Sequence, residues 1–506
     1  MQKAEALILL VNSMTKSEKK FFRMSSKRRS KTPDYMALFD LIDNKKVIDS
    51  SKLRELFLSE RKASSFDATA KYLYRIIIDK LLILREKQDS YYSLFSNIMK
   101  ARILFEKSLY EEAFDLLEST IKDARNYENY YALMLASKLE LEYLLNLDFP
   151  GVNEKDLLNM HIRINEILKF FRKYNELSSL YDLLKFRMTH RGHVRSQQQK
   201  LELNDLVVSE MSIIASSNIE NFEIKKLHQL FQANYLISVG DYKSALRSYI
   251  ELNNLFESNS HLWANPPIFY LLTLQGVLES LRKIQNYDGM KIFVERLKGI
   301  RSSSLNFNMN IQCLIFLNEL FPNLDKGDFK SSQELMITYN DRLYSKINLL
   351  SLSLHAELSL YSSLVMLGNK DFKAALKFIN MIILKGKNYN DLPLNRTIRL
   401  VYLMILYELK SFESILNESR SLKREIKGTD QSYRIEKLMF KFLNKRDLPI
   451  TQKKREKLWE KYEPVIIDLR NDIFEQQLLK IFDFTAWIES KVRKIPLSDV
   501  IGSRFS

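Results

Sequence analysis

Turn-forming residues are scarce in this chain, which has 11 glycines and 9 prolines in 506 residues, well under the usual ~7% and ~5%. That scarcity excludes collagen-like repeats and argues against β architectures built on Gly-rich turns, so a mostly helical protein is the leading class. Glycine spacing also removes several catalytic signatures. The dinucleotide fingerprint and the P-loop need two glycines within about six residues, and no two glycines here stand closer than ten. A Gly-x-Ser-x-Gly nucleophile elbow fails the same test.

Cysteine is nearly absent. Cys313 stands alone, so no intramolecular disulfide can form, and a reducing compartment, the cytoplasm, is the expected location. It sits in an apolar run, Ile311 to Leu317, with no basic neighbour to stabilise a thiolate, and reads as a core residue rather than a nucleophile. Among the six histidines there is no His-Glu-x-x-His. Only His190 and His193 are neighbours, and no adjacent Cys or carboxylate completes a metal set. No catalytic residue, metal site or cofactor is therefore expected. Long apolar runs are missing too: Ala6 to Val11 is too short for a signal-peptide core, and Leu400 to Tyr407 falls far below the ~18–20 residues of a membrane helix.

Charge, by contrast, is plentiful and unbalanced. Lys and Arg number 78 against 62 Asp and Glu, a net charge of +16, which suits acidic partners such as acidic proteins, nucleic acid or anionic lipid. Residues 1–90 hold half of the excess, with 20 basic and 12 acidic residues. Within them Lys16, Lys19, Lys20, Arg23, Lys27, Arg28, Arg29 and Lys31 form a candidate anion-binding cluster, since closely spaced cations can contact successive phosphates and release counterions. The competing reading is a solvated basic face. A second basic patch comprises Lys423, Arg424, Lys427, Lys453, Lys454, Arg455 and Lys457.

Helix signals organise the chain. Thr15-Lys16-Ser17-Glu18 has capping-box form, Pro33-Asp34 opens Tyr35 to Ile42, Ser50 or Ser51 caps Lys52 to Leu58, and Asp67 precedes an amphipathic run through Leu84. Residues 1–90 thus read as a basic N-terminal helical module. The polar, basic segment Thr189 to Lys200 reads as an exposed loop or hinge, and Pro464 is expected to open one long helix reaching about Lys494.

Between these ends an internal repeat emerges. A small or polar turn residue, an aromatic, two polar residues and a helix-starting residue recur as Ser108-Leu109-Tyr110-Glu111-Glu112-Ala113, Gly240-Asp241-Tyr242-Lys243-Ser244-Ala245, Gly327-Asp328-Phe329-Lys330-Ser331-Ser332 and Lys370-Asp371-Phe372-Lys373-Ala374-Ala375. Weaker copies start at Gln285 and Lys410. From residue 245 onward the copies recur at intervals of 40–45 residues, a period that fits helical hairpins. Twelve residues before the final Ala a small residue recurs: Ala101 before Ala113, Ala233 before Ala245, Ser363 before Ala375.

These features resemble the tetratricopeptide repeat, whose inter-helix turn is Gly-Asp-Tyr, two polar residues and Ala, although that family's period is about 34 residues. The closing run Phe484 to Lys491 also looks like the ending of a group of uncharacterised bacterial repeat proteins. The resemblance implies an all-α α-solenoid, with TPR-like hairpins over residues 91–440 and C-terminal capping helices and tail over 441–506. It also implies that first helices line a concave groove, where Arg102 and Asn234, each one residue past the small position, would touch a partner. The expected function is a non-enzymatic scaffold binding a protein or peptide, the basic flanks favouring acidic segments. The alternative is a nucleic-acid-binding regulator that uses the basic module, with the repeat array as sensor.

Overall fold

The computed structural model describes residues 2–26, 33–45, 49–61, 64–192, 194–215, 221–384, 389, 392–427, 433–445 and 448–505. Among them every regular element is a helix and no strand occurs, and consecutive helices pack on one another as in an α-solenoid. No helix among the described residues is long and apolar enough to cross a membrane. The chain divides into two compact units: residues 1–173, 260–267 and 302–308 form the first, and residues 174–259, 268–301 and 309–506 the second.

The first unit begins with α1 (Gln2–Ser13), α2 (Lys16–Ser26), α3 (Asp34–Lys45), α4 (Ser50–Glu60) and α5 (Phe66–Glu86). The capping box forms as its sequence dictates: the Thr15 N–H donates to Glu18 Oε2 at 2.8 Å and the Glu18 N–H to Thr15 Oγ1 at 3.2 Å. Helix α4 starts slightly earlier than its serines suggest, because the Asp49 carboxylate accepts the Lys52 N–H. Helix α5 packs against each of α1 to α4, and Leu7, Val11, Phe22, Phe39, Phe57, Leu73 and Ile77 close a common core around it. Beyond it α6 (Ser90–Glu106), α7 (Tyr110–Asn126) and α8 (Tyr130–Asn146) pack in sequence, ahead of the long α9 (Glu154–Arg191). Stacked rings hold this row, Phe105 on Tyr143 with centroids 3.8 Å apart and Tyr130 on Phe170 at 3.6 Å.

The second unit takes α9 from Tyr174 onward and adds α10 (Gln197–Leu201), α11 (Asn204–Ala215), α12 (Phe222–Ser238), α13 (Tyr242–Ser258), α14 (Ile268–Lys283), α15 (Tyr287–Gly299), α16 (Leu305–Asp325), α17 (Phe329–Thr338), α18 (Leu352–Gly368) and α19 (Phe372–Ile383), with the α16 residues before Met309 belonging to the first unit. Helices Asn395–Glu408, Phe412–Lys427, Arg434–Leu443, Gln452–Asn471, Gln476–Leu479, Phe484–Arg493 and Leu497–Phe505 complete it.

The six turns read from the sequence share one backbone device. Its first residue, Ser108, Gly240, Gln285, Gly327, Lys370 or Lys410, has a φ between 59° and 82°. This left-handed residue ends one helix and frees the next to start. At Gly240 the Asp241 N–H reaches back to the Leu236 carbonyl at 2.9 Å. The adjoining Asp or Asn then caps the second helix: Asp241 accepts from Ser244 N–H, Asn286 from Gly289, Asp328 from Ser331 and Asp371 from Ala374. The small residues that let paired axes approach, Ala101 and Ala113, Ala233 and Ala245, Ser363 and Ala375, are all fully buried, and the Ser363 hydroxyl donates to the Ala375 carbonyl at 3.1 Å.

Two expectations fail. Pro464 lies inside the helix Gln452–Asn471 rather than opening one. The expected run to Lys494 is broken twice, because Asp472 and Asp483 turn their carboxylates onto backbone N–H groups two and three residues further on and restart the chain there. The segment read as an exposed hinge is docked instead. Its Val194 is buried, the Val194 N–H donates to the Ser238 carbonyl at 3.0 Å, and Arg195 lies over the Tyr433 ring at 4.3 Å; His193 lies outside the described residues.

Candidate functional site

In the second unit, one face from each of the alternate helices α12, α14, α16 and α18 turns toward a shared cavity of about 350 Å³. Helix α14 contributes Gln275, Glu279, Arg282 and Lys283, α16 contributes Leu314, Leu317, Asn318 and Phe321, and α18 contributes Ser353, Ala356, Glu357 and Tyr361. Steps of three and four residues put each set on one side of its helix. Asn234 of α12 and Lys185 of α9 complete the polar lining.

Arg282 is committed to structure. Its guanidinium donates to both oxygens of Asp325 at 3.0 and 2.8 Å and to the Tyr361 hydroxyl at 2.9 Å, and it lies over the Phe321 ring at 3.6 Å. The Tyr287 hydroxyl donates to the same Asp325 carboxylate at 3.0 Å. Such a fork on a carboxylate, buried and ringed by aromatics, holds its charge strongly, and Arg282 stays cationic across the accessible pH range.

The remaining charged groups are different. Lys185 donates to Asn234 Oδ1 at 3.0 Å, and burial pulls its ammonium below the usual lysine value while the Glu279 charge opposes that shift. Lys283, Glu279, Glu357 and the Gln275 amide line the cavity with no hydrogen bond or ion pair among the described residues. Burial, joined by the neighbouring Arg282 charge, brings Lys283 down to about 7. Burial and the Glu279 charge push Glu357 up to about 7, against the pull of Arg282 and Lys283. Asn318 gives its amide N–H to the Leu314 carbonyl at 2.7 Å, and Gln477 keeps a buried Oε1 without a donor. The site is thus a polar cavity with open donors and acceptors of both charges, set among Tyr242, Tyr249, Leu314, Leu317 and Phe321.

The residues singled out from sequence are dispersed. Asn234 lies at the cavity, buried on α12. Arg102 is exposed in the first unit, in an ion pair with Glu106 one turn along its own helix at 3.3 Å. In the basic cluster, Lys19 pairs with Asp43 at 2.8 Å, and Arg23 with Asp40 at 3.0 Å and Asp43 at 2.6 Å. Lys16 and Lys20 are exposed, while Lys27, Arg28, Arg29 and Lys31 lie outside the described residues. In the second patch Arg455 is buried and donates to the Lys491 and Val492 carbonyls at 2.8 and 3.1 Å, closing a helix end. Cys313 is fully buried, and burial drives its thiol well above the usual range.

Glu279 and Phe321 could have been found by the rule that picks Asn234. Each stands one residue past the position twelve before its own repeat's helix-starting residue, Met290 and Ser332. Leu and not a small residue holds that earlier position in both, which hid the register. Lys185, Lys283 and Glu357 carry no such signal, since their convergence depends on how the hairpins stack. No protein-family profile, curated protein or solved structure matches this chain.

Proposed function

We propose that the chain is a non-enzymatic helical-repeat scaffold, TPR-like in its hairpins, that binds a protein or peptide partner in the groove of its second unit. The observation that supports this reading is the convergence of α12, α14, α16 and α18 on one polar cavity, with Asn234, Glu279, Asn318 and Glu357 facing it. Stacked hairpins leave such a concave surface as their natural binding face. A helical-repeat binder whose lone cysteine is buried suits a cytoplasmic setting. The likeness of its closing run to bacterial repeat proteins favours a bacterial source.

A pull-down from native cytosol, divided into nuclease-treated and untreated halves and washed at low and high salt, tests the reading. A discrete polypeptide that survives both treatments, and that is lost when Asn234→Arg crowds the cavity while circular dichroism shows a folded chain, supports it. Recovery of nucleic acid, with proteins lost after nuclease treatment, overturns it in favour of the basic module as the functional site.

A further inference from the structure

Resting on that groove reading, we infer that the cavity of the second unit is a binding site for short peptides of two or three residues with both ends free, recognised through an ammonium at Glu279 and Glu357 and a carboxylate at Lys283 and Lys185.

The cavity leaves several charged groups without a hydrogen bond or ion pair among the described residues. Arg282 spends its charge on Asp325 and bonds Tyr361 and the Ile481 carbonyl as well, so its charge is already answered within the protein. Lys283, Glu279 and Glu357 line the cavity together and make no hydrogen bond or ion pair among the described residues. Lys185 uses only one of its three N–H donors, toward Asn234. Glu279 and Lys283 stand one helical turn apart, a spacing that ordinarily closes an ion pair, yet none forms between them. Glu279, Lys283 and Glu357 are half-buried and Lys185 is exposed, so all four remain open to a ligand that enters the cavity. Charged groups of both signs left without an ion pair inside a cleft make that cleft a binding-site candidate.

The sign of the lining then selects the ligand. A purely acidic segment would satisfy the lysines and leave two carboxyl groups facing it, while a simple amine would leave the lysines uncompensated. Only a ligand carrying both charges answers the lysines and the carboxyl groups together. Leu314, Leu317, Phe321, Tyr249 and Ile237 supply apolar wall in the same cavity, suited to aliphatic or aromatic side chains. The volume of about 350 Å³ stands at the low end of ligand pockets, which run from about 300 to 1,000 Å³; this favours a di- or tripeptide over a long segment. Asn318 Oδ1, Gln275 and the orphaned Gln477 Oε1 are placed to serve the peptide N–H and C=O groups.

Equilibrium dialysis of the full chain against an equimolar mixture of di- and tripeptides of Leu, Ile, Val, Phe and Met tests this, with bound species read by mass spectrometry. The mixture is used with free ends, N-acetylated, and C-amidated. Free-ended species should be retained, and blocking either end should weaken retention at least tenfold. Glu279→Gln and Lys283→Met, both close in volume to the native side chains, should each weaken it about tenfold while circular dichroism and the unfolding midpoint show a folded chain. Equal retention of blocked and free peptides, or retention indifferent to E279Q and K283M, overturns the inference. Capture of longer polypeptides in the pull-down without retention of any short one overturns it too and leaves the scaffold reading standing. Retention of neither overturns both.

Discussion

The Lys185 ammonium donates to Oδ1 of Asn234 at 3.0 Å, tying α9 to the first helix of the best-formed repeat. Asn234 in turn gives its own N–H to the Leu230 carbonyl at 2.8 Å, which fixes the amide so that its oxygen meets the ammonium. A hydrogen bond to a charged group is worth about 1.5–3 kcal/mol. Asn234→Leu should therefore destabilise the chain by about 2 kcal/mol in urea unfolding. In a Lys185→Met background the same change should cost under about 1 kcal/mol, because no ammonium is left unpaired. Equal costs in the two backgrounds would mean that the bond carries no energy.

The Arg282–Asp325 pair makes a sharper demand. Removing one member of a buried ion pair leaves an uncompensated charge, at a cost of about 3–5 kcal/mol. Asp325→Ala should lower stability by about 3 kcal/mol, also releasing the Tyr287 hydroxyl. Urea unfolding of the variant gives the answer directly.

Backbone conformation yields a prediction of gain. Gln285, Lys370 and Lys410 hold φ near 60°, a region that costs a side-chain-bearing residue roughly 1 kcal/mol. Lys370→Gly should raise stability by about 0.5–1 kcal/mol. Gly327→Ala should do the reverse by more, since its φ is 78° and a Cβ there would stand 2.8 Å from the Ser498 carbonyl oxygen. Midpoints of chemical unfolding separate the two signs.

Close approach of helices is tested at Gly276. A Cβ added there would lie 2.2 Å from the Tyr249 ring, so Gly276→Ala should destabilise by about 1–3 kcal/mol through overpacking. Gly299 meets nothing within 4 Å, and Gly299→Ala should be neutral or add a few tenths of a kcal/mol. Thermal unfolding of both variants side by side distinguishes packing from general glycine loss.

The cavity charges give the chain a pH signature. Glu357 is faced by Glu279, Arg282 and Lys283, and its folded value near 7 stands above the ordinary 4.5. The stability it contributes is therefore complete below pH 4.5 and is lost as pH rises through 7. Lys283, beside Arg282, Glu279, Asp325 and Lys480, has a folded value near 7, below the ordinary 10.5. Its contribution is complete above pH 10.5 and is lost as pH falls through 7. Both deficits coincide near neutrality. Glu357→Gln should thus stabilise the unliganded chain by about 1–2 kcal/mol at pH 8 and by nothing at pH 4. An unfolding series across pH that shows no such divergence would remove the case for a strained carboxyl group.

Local rules carried the fold a long way. Scarce glycine and proline, apolar residues at steps of three and four, and the Gly-Asp-Tyr turn were enough to specify helical hairpins, because a helix end is decided by the few residues around it: a left-handed residue, then an Asp or Asn that caps the next helix. The same locality explains the failure at Pro464, where a proline that ordinarily starts a helix sits within one, and the true breaks belong to Asp472 and Asp483. Asn234 was legible because it sits beside a small residue required by close helix packing. Glu357, Lys283 and Lys185 were not, since their sequence neighbours do not distinguish them from any solvated Lys or Glu. They share one cavity only when α9, α14 and α18 stack, an arrangement that depends on every neighbouring helix at once and shifts their charges in a way no local sequence signal encodes.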